Sequence, residues 1–95
     1  MDELLFEWNK AKNTLNIKKH GVSFEEASGA FYDEDALIIP DPDHSKNEER
    51  FLLLGYSLTA KLLVVSHCYR SSDNVIRLIS ARKASKGESE QYYCY

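Results

Sequence analysis

Four arginines, Arg50, Arg70, Arg77 and Arg82, all fall in the second half of the chain, at or near the ends of apolar runs. A guanidinium is planar and permanently charged, and its paired N–H groups match two oxygens of a phosphate. The segment from Val75 to Ala84 carries an apolar run through Arg77 into Arg82 and Lys83. A rigid strand end bearing such a group suits an anion site, phosphate above all, and the competing reading is a set of solvated strand-end charges. Lys12, Asn16, Lys19 and His20 form a second group, spaced to share one face of a helix. That face is polar and basic, either solvated or functional. Asp41, Asp43 and His44 have metal-ligating side chains, but they sit in a proline-containing loop without a metal-site spacing, so no metal is expected. His67 reads as a packed strand residue. No strand-turn-helix elbow surrounds any serine, which sets aside a Ser/His/Asp hydrolase.

The elements that must position these groups can be read from capping and periodicity. Leu4 to Trp8 reads as a short opening strand; Asn9 then caps a helix to about His20, ended by Gly21. Ser23 and Glu26 form a capping-box pattern behind Val22, starting a second helix with an apolar stripe of Phe24, Ala27, Ser28 and Phe31. Asp33-Glu34-Asp35 closes it as a solvated turn. Ala36–Ile39 reads as a strand stopped by Pro40, and a polar loop leads on to Glu49. Strands over 50–57, 62–70 and 75–81 follow, with turns at 58–61 and 71–74, the spacing of an antiparallel meander. Phe51–Leu54 and Leu62–Val65 are apolar on both faces, so the middle of the sheet needs cover on part of each side. Ser85 and Glu88 can cap a short last helix, with Gly87 weakening it. The architecture is α+β: a short N-terminal strand, two helices, a mainly antiparallel sheet with a three-strand meander, and a short C-terminal helix.

At 95 residues the chain is read as a single domain over 1–95, with an apolar share that excludes wholesale disorder. No run approaches a membrane span and the first residues lack a secretory signal, so a cytosolic protein is expected. Cys68 and Cys94 carry no zinc or disulfide pattern and read as reduced thiols. The net charge of −3 speaks against a nucleic-acid binder, but its distribution speaks differently. Residues 1–49 hold twelve acids against five lysines, and residues 50–95 hold seven basic residues against three acids. Two readings are open: a basic site on an acidic protein, or halves that attract one another.

Three pieces in order, FEW-x-x-x-K-x-x-x-N-x-x-K-H-G-V-S-F-E-E-A, then D-P-D-H-S with E-E-R-F, then I-R-L-I-S-A-R-K-A with Glu88 and Tyr92, resemble the BrnT toxin family over nearly the whole chain. The resemblance implies an RNA-cleaving toxin of a type II toxin-antitoxin system, bacterial and cytoplasmic. It implies a RelE-like fold, a BrnA-like antitoxin as partner, operator DNA bound only through the antitoxin complex, and no cofactor. By position, Lys19 and His20 match the family's Lys-His-Gly motif, Arg50 the arginine opening a sheet strand, and Arg82 the arginine of Ile-Ser-x-Arg; these are the catalytic candidates. Lys12, Arg70, Arg77 and Lys83 are assigned to RNA contact. His20 suits proton transfer, or equally a helix end where a cation meets the dipole. Glu49 is a fallback base, or an ordinary partner of a neighbouring arginine. The chain departs from the family pattern at Asn9-Lys10, at Cys68-Tyr69 and at Ser89. A non-catalytic module that binds an antitoxin or other partner is the alternative.

Overall fold

Phe51–Leu54 and Leu62–Val65 lie side by side in the middle of a five-stranded sheet. A computed structural model describes residues 4–44, 48–70 and 75–94. The elements are β1 (Leu5–Glu7), α1 (Lys10–His20), α2 (Phe24–Gly29) running into a 3₁₀ turn (Ala30–Tyr32), β2 (Leu37–Pro40), a second 3₁₀ turn (Pro42–His44), β3 (Phe51–Tyr56), β4 (Leu62–Tyr69), β5 (Val75–Lys83) and α3 (Lys86–Tyr93). The strand order is β1-β5-β4-β3-β2, with β1 parallel to β5 and every other pair antiparallel. The meander is therefore present. Its expected turn at 71–74 and the loop residues 45–47 lie outside the described residues. Pro40 does not stop β2 but closes its ladder opposite Phe51, which an edge strand tolerates because its outer N–H side needs no partner.

Local chemistry sets the helix ends. The Asn9 side chain accepts the Lys12 N–H at 3.0 Å, and Gly21, at φ 72°, ends α1 in the left-handed conformation that glycine adopts without strain. Ser23 accepts the Glu26 N–H at 3.0 Å, but the capping box expected there is half made. Glu26 turns instead to the β3–β4 turn, where the Ser57 and Thr59 hydroxyls and the Lys61 ammonium offer three donors. α3 carries a complete box, Ser85 and Glu88 capping each other reciprocally, which offsets the cost of Gly87.

α1 and α2 cover one face of the sheet. Val22, Phe24, Ala27 and Ala30 meet Leu53, Leu63, Val65, Ile76, Leu78 and Ala81 in the core. Each large side chain buried there contributes about 1.5–3 kcal/mol of transfer free energy. One irregularity shapes the opposite face: Ser66 pairs with Ser80 but His67 pairs with Leu78, so Ile79 is an extra residue in β5. Leu78 and Ala81 therefore both point to the helices, and Arg77 and Arg82, opposite Cys68 and Val64, both point away.

Asp33 is more than the solvated turn expected of it. Its carboxylate accepts the Tyr56 N–H at 2.8 Å and the Tyr92 hydroxyl at 2.7 Å, tying α3 over the far face of the sheet. Burial alone would push its carboxyl up, but these two bonds and the Asp35 N–H together outweigh it and leave the carboxyl below its ordinary value. α3 thus covers the Leu37, Leu52, Leu54 and Val64 side of that face, as the doubly apolar strands required.

Candidate functional site

Arg50 and Arg82 line one groove on the sheet face turned away from α1 and α2. The groove has a volume of about 310 Å³ and is completed by Asp41, His44, Leu52, Val64, Ser66, Ile79 and Ser80. Arg50 arrives there because it precedes β3 and alternates in face with Phe51; Arg82 arrives because of the Ile79 bulge.

Glu88 of α3 fixes Arg82. Its two carboxylate oxygens accept from the two terminal guanidinium nitrogens at 2.8 and 2.9 Å, and one of these also donates to the Lys83 carbonyl. The paired bond to Arg82 pushes the Glu88 carboxyl down to about 2, with the Ser85 N–H adding to it and burial opposing. Reciprocally, Glu88 raises the Arg82 pKa. Among the described residues no hydrogen bond engages the Nε–H edge of Arg82, so that edge can meet a phosphate oxygen while the far end stays clamped.

A second cleft, about 590 Å³, adjoins the groove and is lined by Lys12, Leu15, Asn16, Lys18, Lys19, His20, Ile79 and Ser80. Ile79 and Ser80 belong to both, so the bulge is the saddle between them. The helical face of Lys12, Asn16, Lys19 and His20 is thus turned toward the end of β5 rather than simply to solvent. Asn16 is buried and locks that contact, donating to the carbonyls of Val22 and Ala81 at 2.8 Å each and accepting the Ala81 N–H at 3.1 Å.

The remaining expected contacts lie elsewhere. Arg77 and Arg70 share the Glu7 carboxylate, at 2.9 and 3.5 Å, beside the β1–β5 pairing. Lys83 pairs with Leu63 and so falls on the helix-covered face, near Glu26. Glu49 is exposed ahead of β3. His67 is a packed strand residue: it is fully buried against Phe31, Phe51 and Tyr69, its Nδ1 lies 3.1 Å from the Val65 carbonyl, and burial lowers its pKa. Cys68 is buried and Cys94 exposed, both as free thiols, and burial pushes the Cys68 thiol up.

Three features escaped the sequence reading. Ser66 and Ser80 enter the groove through strand pairing, which no local pattern encodes. Glu88 was legible as a cap but not as the clamp on Arg82. His44, whose loop suggested only ligand-type side chains, stands in the groove with its Nδ1 3.0 Å from the Asp41 carboxylate. The Asp-x-x-His spacing was the available signal.

The fold and groove define a small α+β protein with two arginines, Arg50 and Arg82, lining one groove on an open sheet face. The chain belongs to the family described as "Ribonuclease toxin, BrnT, of type II toxin-antitoxin system", whose model matches residues 8–88. It is therefore a ribonuclease toxin by family, and its partner in such a system is an antitoxin. The structure also resembles the crystal structure of the Brucella abortus ribonuclease toxin, BrnT, with a TM-score of 0.66 over 88% of this chain and 100% of that one. At 22% identity, that likeness establishes the shared fold. No curated protein matches the sequence. No helix among the described residues is long and apolar enough to cross a membrane.

Proposed function

We propose that this protein is an endoribonuclease that cleaves RNA by attack of the substrate's own 2′-hydroxyl on the adjacent phosphodiester, without a metal, and so inhibits translation and growth. One observation carries the reading: Arg50 and Arg82, distant in sequence, line a single groove. The nucleophile belongs to RNA, so the protein's task is to hold the phosphate, stabilise the extra charge of the transition state and move protons. Arg50 and Arg82 bind the scissile phosphate. Lys12, Lys19 and His20 receive the strand across the Ile79–Ser80 saddle, with Lys19 as electrostatic support and His20 near enough to the path to exchange a proton. Arg70 and Arg77 extend the RNA contact from the other end of the same sheet face.

In this reading the protein acts in the bacterial cytoplasm. A BrnA-like antitoxin silences it by covering the groove, and operator DNA is met only through that complex.

The test compares an RNA oligonucleotide with one carrying a single 2′-deoxy residue at the mapped cut, each with and without chelator, using the parent, Arg50→Ala and Arg82→Ala. The parent should cut RNA despite chelator, spare the deoxy position and leave a cyclic phosphate or its hydrolysed form. Each variant should lose about a hundredfold in rate while remaining folded. Cutting at the deoxy site, or folded variants that cleave at the parent rate, would refute the mechanism.

A further inference from the structure

The 3₁₀ turn before β3 brings a histidine to the groove in a form suited to proton transfer. His44 Nδ1 lies 3.0 Å from the Asp41 carboxylate, and the two side chains differ sharply in exposure, 66% for His44 and 14% for Asp41. The carboxylate is sheltered and the ring it holds is open. The neutral tautomer that donates from Nδ1 to Asp41 carries its lone pair on Nε2, the nitrogen on the opposite edge of the ring. The turn itself is anchored: the His44 N–H donates to the Asp41 carbonyl at 3.2 Å, and the Asp41 N–H donates to the Arg50 carbonyl at 2.8 Å. The imidazole, its orienting carboxylate and the first phosphate-binding arginine are thereby held in one backbone unit, with Arg82 on another wall of the same groove.

We propose that His44, oriented by Asp41, is the general base of the cleavage reaction, taking the proton of the attacking 2′-hydroxyl while Arg50 and Arg82 hold the phosphate. The inference rests on reading the Arg50–Arg82 groove as the cleavage site. As Nε2 accepts the proton, O2′ forms its bond to phosphorus and the bond from phosphorus to the 5′-oxygen breaks. The leaving oxygen takes a proton from water, and the imidazolium returns its own to the hydroxide so formed. The products are a 2′,3′-cyclic phosphate and a 5′-hydroxyl, and no other reactant is needed. Asp41 is a positioning residue: it sets the tautomer and stabilises the imidazolium, as carboxylates do for catalytic histidines elsewhere.

The test measures cleavage for the parent, His44→Gln, His44→Ala and Asp41→Asn, with Arg82→Ala as the check on the groove. Affinity is measured on the 2′-deoxy oligonucleotide, which binds without reacting. His44→Gln should lose about a hundredfold in kcat or more, with affinity and thermal unfolding held near the parent's. Imidazole added to His44→Ala should restore part of the rate. Asp41→Asn should lose about tenfold in kcat while its affinity for the deoxy oligonucleotide stays near the parent's, the split expected of a residue that orients the base and does not hold the substrate. If Arg82→Ala loses its rate and His44→Gln keeps the parent's, the inference is overturned and the groove reading stands. Loss of affinity matching the loss of rate in His44→Gln would also overturn it. If Arg82→Ala cleaves like the parent, the groove reading itself has failed.

Discussion

Asn16 sits in a helix whose other polar side chains are exposed or half-exposed, yet it is buried with three hydrogen bonds to backbone groups of Val22 and Ala81. Asn16→Ala should cost about 2–4 kcal/mol, because it strands buried donors and acceptors that the apolar side chain cannot satisfy. A urea denaturation midpoint reads this directly, and a loss below about 1 kcal/mol would show that water or relaxation replaces the bonds. His67 makes a second prediction, of opposite character. Burial lowers its pKa, against the smaller opposing effect of the Val65 carbonyl. Above the ordinary histidine value of 6.5 both folded and unfolded states are neutral and the ring costs nothing. Below it the unfolded chain takes up the proton first, so stability falls as pH drops from 6.5 toward the folded-state value. His67→Leu should flatten that slope in denaturation midpoints measured across the range. Parallel curves for parent and variant would assign the acid sensitivity elsewhere.

At the scale of elements, α3 is the exposed one. It has eight residues and no buried side chain, too short to persist alone. Its hold on the sheet comes from Tyr92 on Asp33, from the Tyr56, Tyr92 and Tyr93 rings, whose Tyr56 and Tyr93 hydroxyls also bond, and from Glu88 on Arg82. Tyr92→Phe removes one hydrogen bond, about 1 kcal/mol, and should speed amide exchange in α3 several-fold while leaving β4 unchanged. Combining it with Glu88→Gln should speed exchange further. Because the Glu88 carboxyl is depressed, its contribution is present above its ordinary value of 4.5 and is lost as pH falls toward about 2. Unchanged α3 exchange in the double variant would mean that the apolar contacts alone secure the helix.

For the whole molecule, the charge asymmetry is visible in ion pairs between the halves and in the grouping of basic side chains along two adjoining clefts. Glu7 on Arg70 and Arg77, and Glu26 near Lys61, are attractions between the two halves. Arg50 and Arg82 on an open face, with Lys12 and Lys19 in the adjoining cleft, are the RNA path proposed above on a protein of net charge −3. Single-stranded RNA on that path should bind with an affinity that falls as salt rises, by about 0.7 in the logarithmic slope for each phosphate neutralised. Lys12→Ala should lower the slope by about one contact, and Lys83→Ala, on the helix-covered face, should leave it unchanged. The reverse ranking, by titration at several salt concentrations, would move the RNA path to the other side of the sheet.

Local features of the sequence determined much of this. Asn9, Gly21, Ser23 and Ser85 mark helix ends through side-chain and backbone chemistry that acts within a few residues. The apolar runs of 51–54 and 62–65 required cover on both faces, and α3 and the α1–α2 layer supply it. The grouping of catalytic candidates was decided by tertiary structure. In a regular strand Arg77 and Arg82, an odd number of residues apart, would point to opposite faces. The extra residue Ile79 reverses that parity, and its position depends on how β5 pairs with β4, a long-range choice with no local signature. The same register brings Ser66 opposite Ser80, while the β3–β4 pairing brings Arg50 into the groove with Arg82. Capping is a matter of neighbours along the chain, whereas the groove is a matter of neighbours across the sheet, and only the folded pairing determines those.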